Sequence, residues 1–259
     1  MLRPRIIPCL LVKDGGLVKT QKFSDPKYVG DPINAVKIFN EKEADELIFI
    51  DIDATRYAKE PDLKLLKNLA NESRMPLCYG GGVKTVSQAK AVVSMGIEKV
   101  ALSSIVVENP NIISDIADEI GSQSVVAVLD IKKKKLSINY EIWTHNGTRN
   151  SKLDPIDLSL KLQSLGAGEI VINSIDHDGM MNGLDFPILE KIYSQLSIPM
   201  TIIGGVGSLK DIEEAVQKFK FIGVGVGSFF VFKGKYRAVM INYPSIAERD
   251  QILANTLLR

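Results

Sequence analysis

Runs of consecutive apolar residues alternate along the whole chain with stretches whose apolar positions recur every three or four residues. The apolar runs are Ile6–Val12, Leu47–Ile52, Leu77–Tyr79, Lys99–Leu102, Val125–Ile131, Glu169–Asn173, Met200–Ile203 and Phe221–Val226. They are continuous rather than alternating, the pattern of parallel strands covered on both faces. The stretches between them predict helices at Asp31–Glu43, Asp62–Ser73, Val86–Met95, Ile112–Ile120, Ile156–Leu165, Pro187–Gln195 and Leu209–Gln217. Another is expected after Pro244, where Ser245 and Glu248 have the spacing of a capping box. Eight strands alternating with eight helices in 259 residues predict a (β/α)8 barrel, with an open doubly wound sheet as the competing arrangement. The alternation breaks once. Lys132–Leu136, Ser137–Trp143 and His145–Gly147 read as a short hairpin inserted after the fifth strand, the four consecutive lysines making a solvated turn.

The chain also resembles itself. Ala44-Asp-Glu-Leu-Ile-Phe is echoed by Ala167-Gly-Glu-Ile-Val-Ile, and Gly81-Gly-Val-Lys-Thr-Val by Gly204-Gly-Val-Gly-Ser-Leu, both 123 residues on. Asp51-Ile-Asp returns as Asp176-His-Asp, and Ile6-Ile-Pro-Cys-Leu-Leu as Val125-Val-Ala-Val-Leu-Asp. The expectation is one domain over 1–259, built of two half-barrels at about 1–122 and 123–259. No linker is expected between them, because a half-barrel alone leaves open sheet edges.

Composition narrows the classes. Hydrophobic residues make up 45% and charged residues 24%, as in a globular protein with a sizeable core. A net charge of +1 argues against nucleic-acid binding. No apolar run is long enough for a membrane span, and the first residues lack the sections of a secretory signal. Cys9 and Cys78 lie in apolar segments and read as buried free thiols of a reducing cytoplasm. No metal or other cofactor is expected, since His145 and His177 lack ligand spacing and are assigned to solvent or loop packing.

Barrel enzymes carry their chemistry where strands end. Gly80-Gly81-Gly82 and Gly204-Gly205 end the third and seventh strands, and Ser103-Ser104 and Gly227-Ser228 follow the next strand in each case. Glycines admit close approach of backbone amides to a phosphate, though they also make tight turns. Two such turns favour phosphate, and the repeat sets them on opposite sides of the mouth, as a phosphorylated small molecule with a phosphate at each end requires. Asp51 and Asp53, Asp130, and Asp176 and Asp178 end the second, fifth and sixth strands. Asp53 and Asp176 read as caps or salt-bridge partners. Asp130 is expected to point into the mouth as a general acid or base; its repeat partner is Leu11. Lys19 and Lys22 belong to the stretch after the first strand, either a lid over a phosphate or an ordinary solvated loop. Arg5, Glu46, Lys99 and Glu169 mark strand starts, where they form either a stability network or a gate across the barrel axis.

Five segments carry a specific resemblance: Ile6-Ile-Pro-Cys-Leu-Leu-Val-Lys-Asp-Gly, Ala44-Asp-Glu-Leu-Ile-Phe-Ile-Asp-Ile, Gly80-Gly-Gly-Val, Val107-Glu-Asn-Pro and Leu165-Gly-Ala-Gly-Glu. Together they resemble the cyclase subunit of imidazole glycerol phosphate synthase, the HisF family, from about residue 1 to 230. A related isomerase family, HisA, is less similar. The resemblance implies a lyase and cyclase of histidine biosynthesis, with a HisH-like glutaminase docked at the barrel bottom and ammonia passing along the axis. It implies Arg5, Glu46, Lys99 and Glu169 as the ammonia gate and Asp130 as one of two catalytic aspartates. Lys19, Asp51 and Asp178 match a loop lysine and mouth acids; Gly82, Ser104, Gly205 and Ser228 match phosphate contacts, with Ser103 and Gly227 beside them.

The departures are as informative. Leu11 stands where the other catalytic aspartate is expected, Ser103 where the family has Asn, Ile203 where it has Ser, and Asn173 where it has Thr. The tail Phe232–Pro244 differs from the ordinary ending. These features look like a paralogous branch linked to surface polysaccharides, in which barrel and glutaminase supply ammonia to a sugar amidotransferase making an acetamidino sugar. An active cyclase is the alternative, and a bis-phosphate isomerase a third.

Overall fold

The computed structural model describes residues 3–257. Eight parallel strands form the barrel: β1 (Arg5–Lys13), β2 (Leu47–Asp51), β3 (Leu77–Gly80), β4 (Lys99–Leu102), β5 (Val125–Lys133), β6 (Glu169–Ser174), β7 (Met200–Ile203) and β8 (Ile222–Val226). Each pairs with the next, and β8 returns to β1 with Arg5 opposite Gly223, so the sheet has no open barrel edge. This is a (β/α)8 barrel, not a doubly wound sheet. The outer helices are α1 (Pro32–Glu41), α2 (Leu63–Glu72), α3 (Val86–Ser94), α4 (Ile112–Ile120), α5 (Pro155–Ser164), α6 (Phe186–Tyr193), α7 (Leu209–Phe219) and α8 (Ile246–Leu257). Asp31, Asp62, Thr85, Asp154 and Ser208 cap five of them by accepting first-turn amides. Ser245 and Glu248 make the expected capping box. None of the described helices is long and apolar enough to cross a membrane.

Alternation along each strand sorts its side chains into two cores. Ile6, Leu10 and Val12 of β1 join Phe39, Leu66, Leu69 and Ile113 between sheet and helices. Ile7 and Cys9 instead fill the barrel with Ile48, Cys78, Ala101, Val126, Val128, Val171 and Ile203. The same phase continues to both ends of a strand. It turns Arg5 and Leu11 inward on β1, Lys99 on β4 and Ser103 just beyond its end, and Glu169 and Asn173 on β6. The two cysteines are free, buried thiols, and burial pushes Cys9 up to about 11.

Two readings of the connections need correction. The stretch after β1 is neither a lid nor a solvated loop. Gly16–Gln21 runs antiparallel to β1 with Leu11 opposite Val18, and Ser24–Gly30 pairs with it in turn. Lys19 is therefore a buried strand residue, while Lys22 is exposed at the turn. After β5 the inserted hairpin is present, but Lys132 and Lys133 belong to the strand, which pairs with Tyr140–Thr144. The turn retains only Lys134 and Lys135.

Candidate functional site

At the floor the four ionic residues form a closed ring. Lys99 Nζ lies 2.8 Å from Glu46 and 2.9 Å from Glu169; Arg5 lies 2.7 Å from Glu169 and also pairs with Glu46. Each cation thus bridges both carboxylates. Burial works against the Arg5 and Lys99 charges, but the facing glutamates overcome it and both pKa values rise. For Glu169 burial is likewise outweighed by Arg5 and Lys99, and its pKa falls. Thr201 donates to Glu169. It was not anticipated, although its inward position on β7 follows from strand alternation. Gly223 is required beside it, because a Cβ there would meet the Thr201 hydroxyl at 1.9 Å.

At the other end one open pocket gathers every mouth residue singled out from the sequence: Lys19, Asp51, Gly82, Ser103, Ser104, Asp130, Asp178, Gly205, Gly227 and Ser228. Asp130 lines this pocket from β5. Asn173, its register partner on β6, donates to Oδ1 at 2.8 Å, and Ser103 donates to Oδ2 at 3.1 Å. Burial raises the Asp130 carboxyl to about 6 against these two hydrogen bonds, and Asp178 adds a like charge. A carboxyl in that range exchanges protons near neutrality, as general acid–base work requires. Leu11 lines the same pocket from β1, and Ile203 from β7. Two positions that resemblance gives as polar are apolar here.

The glycine turns carry less phosphate signal than their composition implies. Gly82 has φ +73° and Gly205 φ +110°, and a Cβ would meet the Lys59 carbonyl at 2.5 Å or the Gly183 carbonyl at 2.1 Å. Chain packing alone demands glycine at both places. The hydroxyls are more telling. Ser104 and Ser228 are buried yet line the pocket, after β4 and β8, on opposite sides of the barrel by strand order. The Ser104 hydroxyl accepts the His145 amide at 3.2 Å.

The acids divide by role. Asp51 accepts the Asp53 and Ala54 amides at 3.0 and 3.1 Å, holding its own turn, while burial raises its pKa. Asp178 accepts from the Thr20 hydroxyl at 2.7 Å and the Phe23 amide at 3.1 Å, which pins the hairpin over the mouth. Burial raises its pKa too. Lys19 donates to the Cys9 carbonyl, and burial lowers its pKa against the pull of Cys9 and Asp178. Asp53 faces Lys13 at 3.7 Å and Asp176 accepts the Lys133 amide at 3.0 Å, both structural roles as expected.

His177 packs within its loop, with Nδ1 2.8 Å from the Gly183 carbonyl. His145 corrects the reading given to it, for it lines the mouth. Its Nε2 lies 3.2 Å from the Arg149 guanidinium, a donor only, and burial followed by Arg149 lowers its pKa, so the ring is held neutral. Arg237 was also missed. From the tail it donates to the Gly179 carbonyl at 3.3 Å and the Ser228 hydroxyl at 3.4 Å. No local pattern signals such contacts, which depend on how the tail folds back.

With this geometry in place, comparison with known proteins is direct. The family model described as histidine biosynthesis protein matches residues 5–237. A Vibrio vulnificus protein provisionally named imidazole glycerol phosphate synthase subunit hisF3 is 53% identical over 98% of this chain and 97% of its own length. A Pseudomonas aeruginosa protein provisionally named subunit hisF2 is 47% identical over 96% and 99%. The imidazole glycerol phosphate synthase subunit HisF of Lactococcus lactis is 36% identical over 89% of each. A barrel with this floor and mouth, matched over nearly its full length by such relatives, belongs to the HisF family.

Proposed function

We propose that this barrel docks a glutaminase at its floor and conducts ammonia to its mouth, and that its own cyclase chemistry is impaired. The observation that carries this reading is the contrast between a complete ionic floor and a mouth in which Leu11, at the position that repeats Asp130, lines the pocket with an apolar side chain. Neutral ammonia suits an interior lined by Ile7, Ile48, Val126 and Val171. The closed ring beneath requires one ion pair to swing aside for each passage, which makes it a gate. Ring closure with ammonia moves protons on both sides of the substrate, and loss of one acid or base costs about 10² to 10⁴ in rate. The equivalence of Leu11 and Asp130 rests on reading the single domain as two half-barrels. The ammonia would then serve a third protein, a sugar amidotransferase making an acetamidino sugar.

One observation favours the second reading, an active cyclase of histidine biosynthesis. Asp178 is a further acid of the mouth with a raised pKa, in electrostatic contact with Asp130, and can share the proton transfers. The purified chain, given the bisphosphorylated ribulosyl substrate and ammonium salt at high pH, separates the two. Turnover equal to that of ordinary HisF subunits overturns the conduit reading. Negligible turnover, together with glutamine-dependent ammonia release from the mouth of a barrel–glutaminase complex, supports it.

A further inference from the structure

The two hydroxyl-bearing ends of the mouth are wired differently. Ser104 accepts a neutral backbone amide, that of His145. Ser228 accepts a guanidinium proton from Arg237. A serine hydroxyl has one proton to give and two lone pairs to accept with, and arginine only donates. Arg237 therefore occupies a lone pair of Ser228 and leaves its O–H for an acceptor in the pocket that Ser228 lines.

Three further features converge on this corner. Lys19 reaches it from the hairpin after β1: a Cβ on Gly227 would lie 3.3 Å from Lys19 Nζ. The Arg237 guanidinium stacks 4.6 Å from the centre of the Phe232 ring, and its other arm holds the Gly179 carbonyl. Lys27 donates to the Arg237 carbonyl at 3.3 Å and stacks at 5.2 Å on the same ring. The guanidinium is thus fixed from both sides at the tip of the short hairpin formed by Phe232–Lys233 and Ala238–Val239. Asp178 lies within electrostatic reach of both Lys19 and Arg237 and offsets part of their charge.

We infer that Arg237 is a positioning and charge-supplying residue for a phosphate monoester held at Gly205, Gly227 and Ser228, making this the charge-assisted end of the mouth. The inference rests on the reading of these residues as a phosphate cradle. A dianion here meets a serine proton oriented by a cation, with Lys19 on the other side. At the Gly82 and Ser104 end the serine hydroxyl is backed by the neutral His145 amide, with Lys84 lining the pocket near Gly82.

The test titrates inorganic phosphate into the full chain and follows the amide resonances of Gly82 and Ser104 separately from those of Gly205 and Ser228. In Arg237→Gln the dissociation constant at Gly205 and Ser228 is expected to rise about tenfold, the worth of one charge-assisted hydrogen bond, with no change at Gly82 and Ser104. Arg237→Lys should recover part of that affinity, a rescue that a purely structural role does not give. In a Ser228→Ala background the Arg237→Gln effect should shrink, because the two residues act through one hydroxyl. Wild-type binding at Gly205 and Ser228 that Arg237→Gln leaves unchanged overturns the role of Arg237 but leaves the cradle standing. Absence of wild-type phosphate binding at that end overturns both.

Discussion

The floor and the rim of this barrel are built on the same strands, yet they have fared differently. Arg5 and Leu11 are inward positions of β1, separated by about 20 Å of strand. Lys99 opens β4 and Ser103 follows its last residue, and Glu169 and Asn173 share β6. At the floor, two cations and two carboxylates satisfy one another completely, and Thr201 and Gly223 are shaped to fit. At the rim, one carboxylate is tied to Ser103 and Asn173 while apolar Leu11 and Ile203 line the same pocket. A fold whose strands are covered on both sides has little freedom in its middle layers. Its two ends are free to diverge independently, and the proposed function reads the difference between them as conduction kept and proton transfer weakened.

The largest test restores the rim. Leu11→Asp should raise ammonium-dependent cyclase turnover by about 10²-fold or more if proton handling is the main deficit. No gain in a steady-state assay would shift the blame to Ile203 and Asn173. The next breaks the floor. Lys99→Met leaves Glu46 and Glu169 to share Arg5, and denaturant unfolding should show a loss of about 3 kcal/mol. The same variant should release more glutaminase-derived ammonia to bulk solution, and tight coupling would count against the gate.

An effect of similar size sharpens the rim side. The Asp130 pKa is raised to about 6, so folding favours the protonated form. Stability from this group is present below the unfolded carboxyl pKa and is lost as pH rises through 6. Asp130→Asn should therefore stabilise the barrel by about 3 kcal/mol at pH 8 and by well under about 1 kcal/mol at pH 4, as read by denaturation at both. The smallest concerns the tail. Tyr243, buried against Phe39 and Phe230, donates to the Ile6 carbonyl at 2.7 Å and accepts the Asp45 amide at 3.2 Å. Tyr243→Phe should cost about 1 kcal/mol in the same measurement.

The barrel was legible because its signals are long-range and redundant. Each strand announces itself by an unbroken apolar run, and Val125 to Leu129 could hardly be anything else. The strand ends then supplied the floor ring and Asp130 by position alone. Lys19 was misjudged because Gly16–Gln21 mixes apolar and polar residues and reads as a loop; only pairing with β1 buries it. His145 and Arg237 were missed for a related reason, since irregular segments bring their side chains to the mouth by tertiary folding. The glycines answer two demands at once: Gly82 and Gly205 line the mouth, and the Lys59 and Gly183 carbonyls leave no room for a Cβ at either.

The tail joins what the strands keep apart. Arg237 is fastened beside the mouth, and six residues later Tyr243 is fastened to Ile6 and Asp45, the sequence neighbours of floor residues Arg5 and Glu46. Outside the barrel wall this segment works as a tie-rod between top and base. Severing the backbone between these two anchors would let each end relax without the other, so a nicked barrel that retains every side chain would be the cleanest way to learn whether the ends communicate.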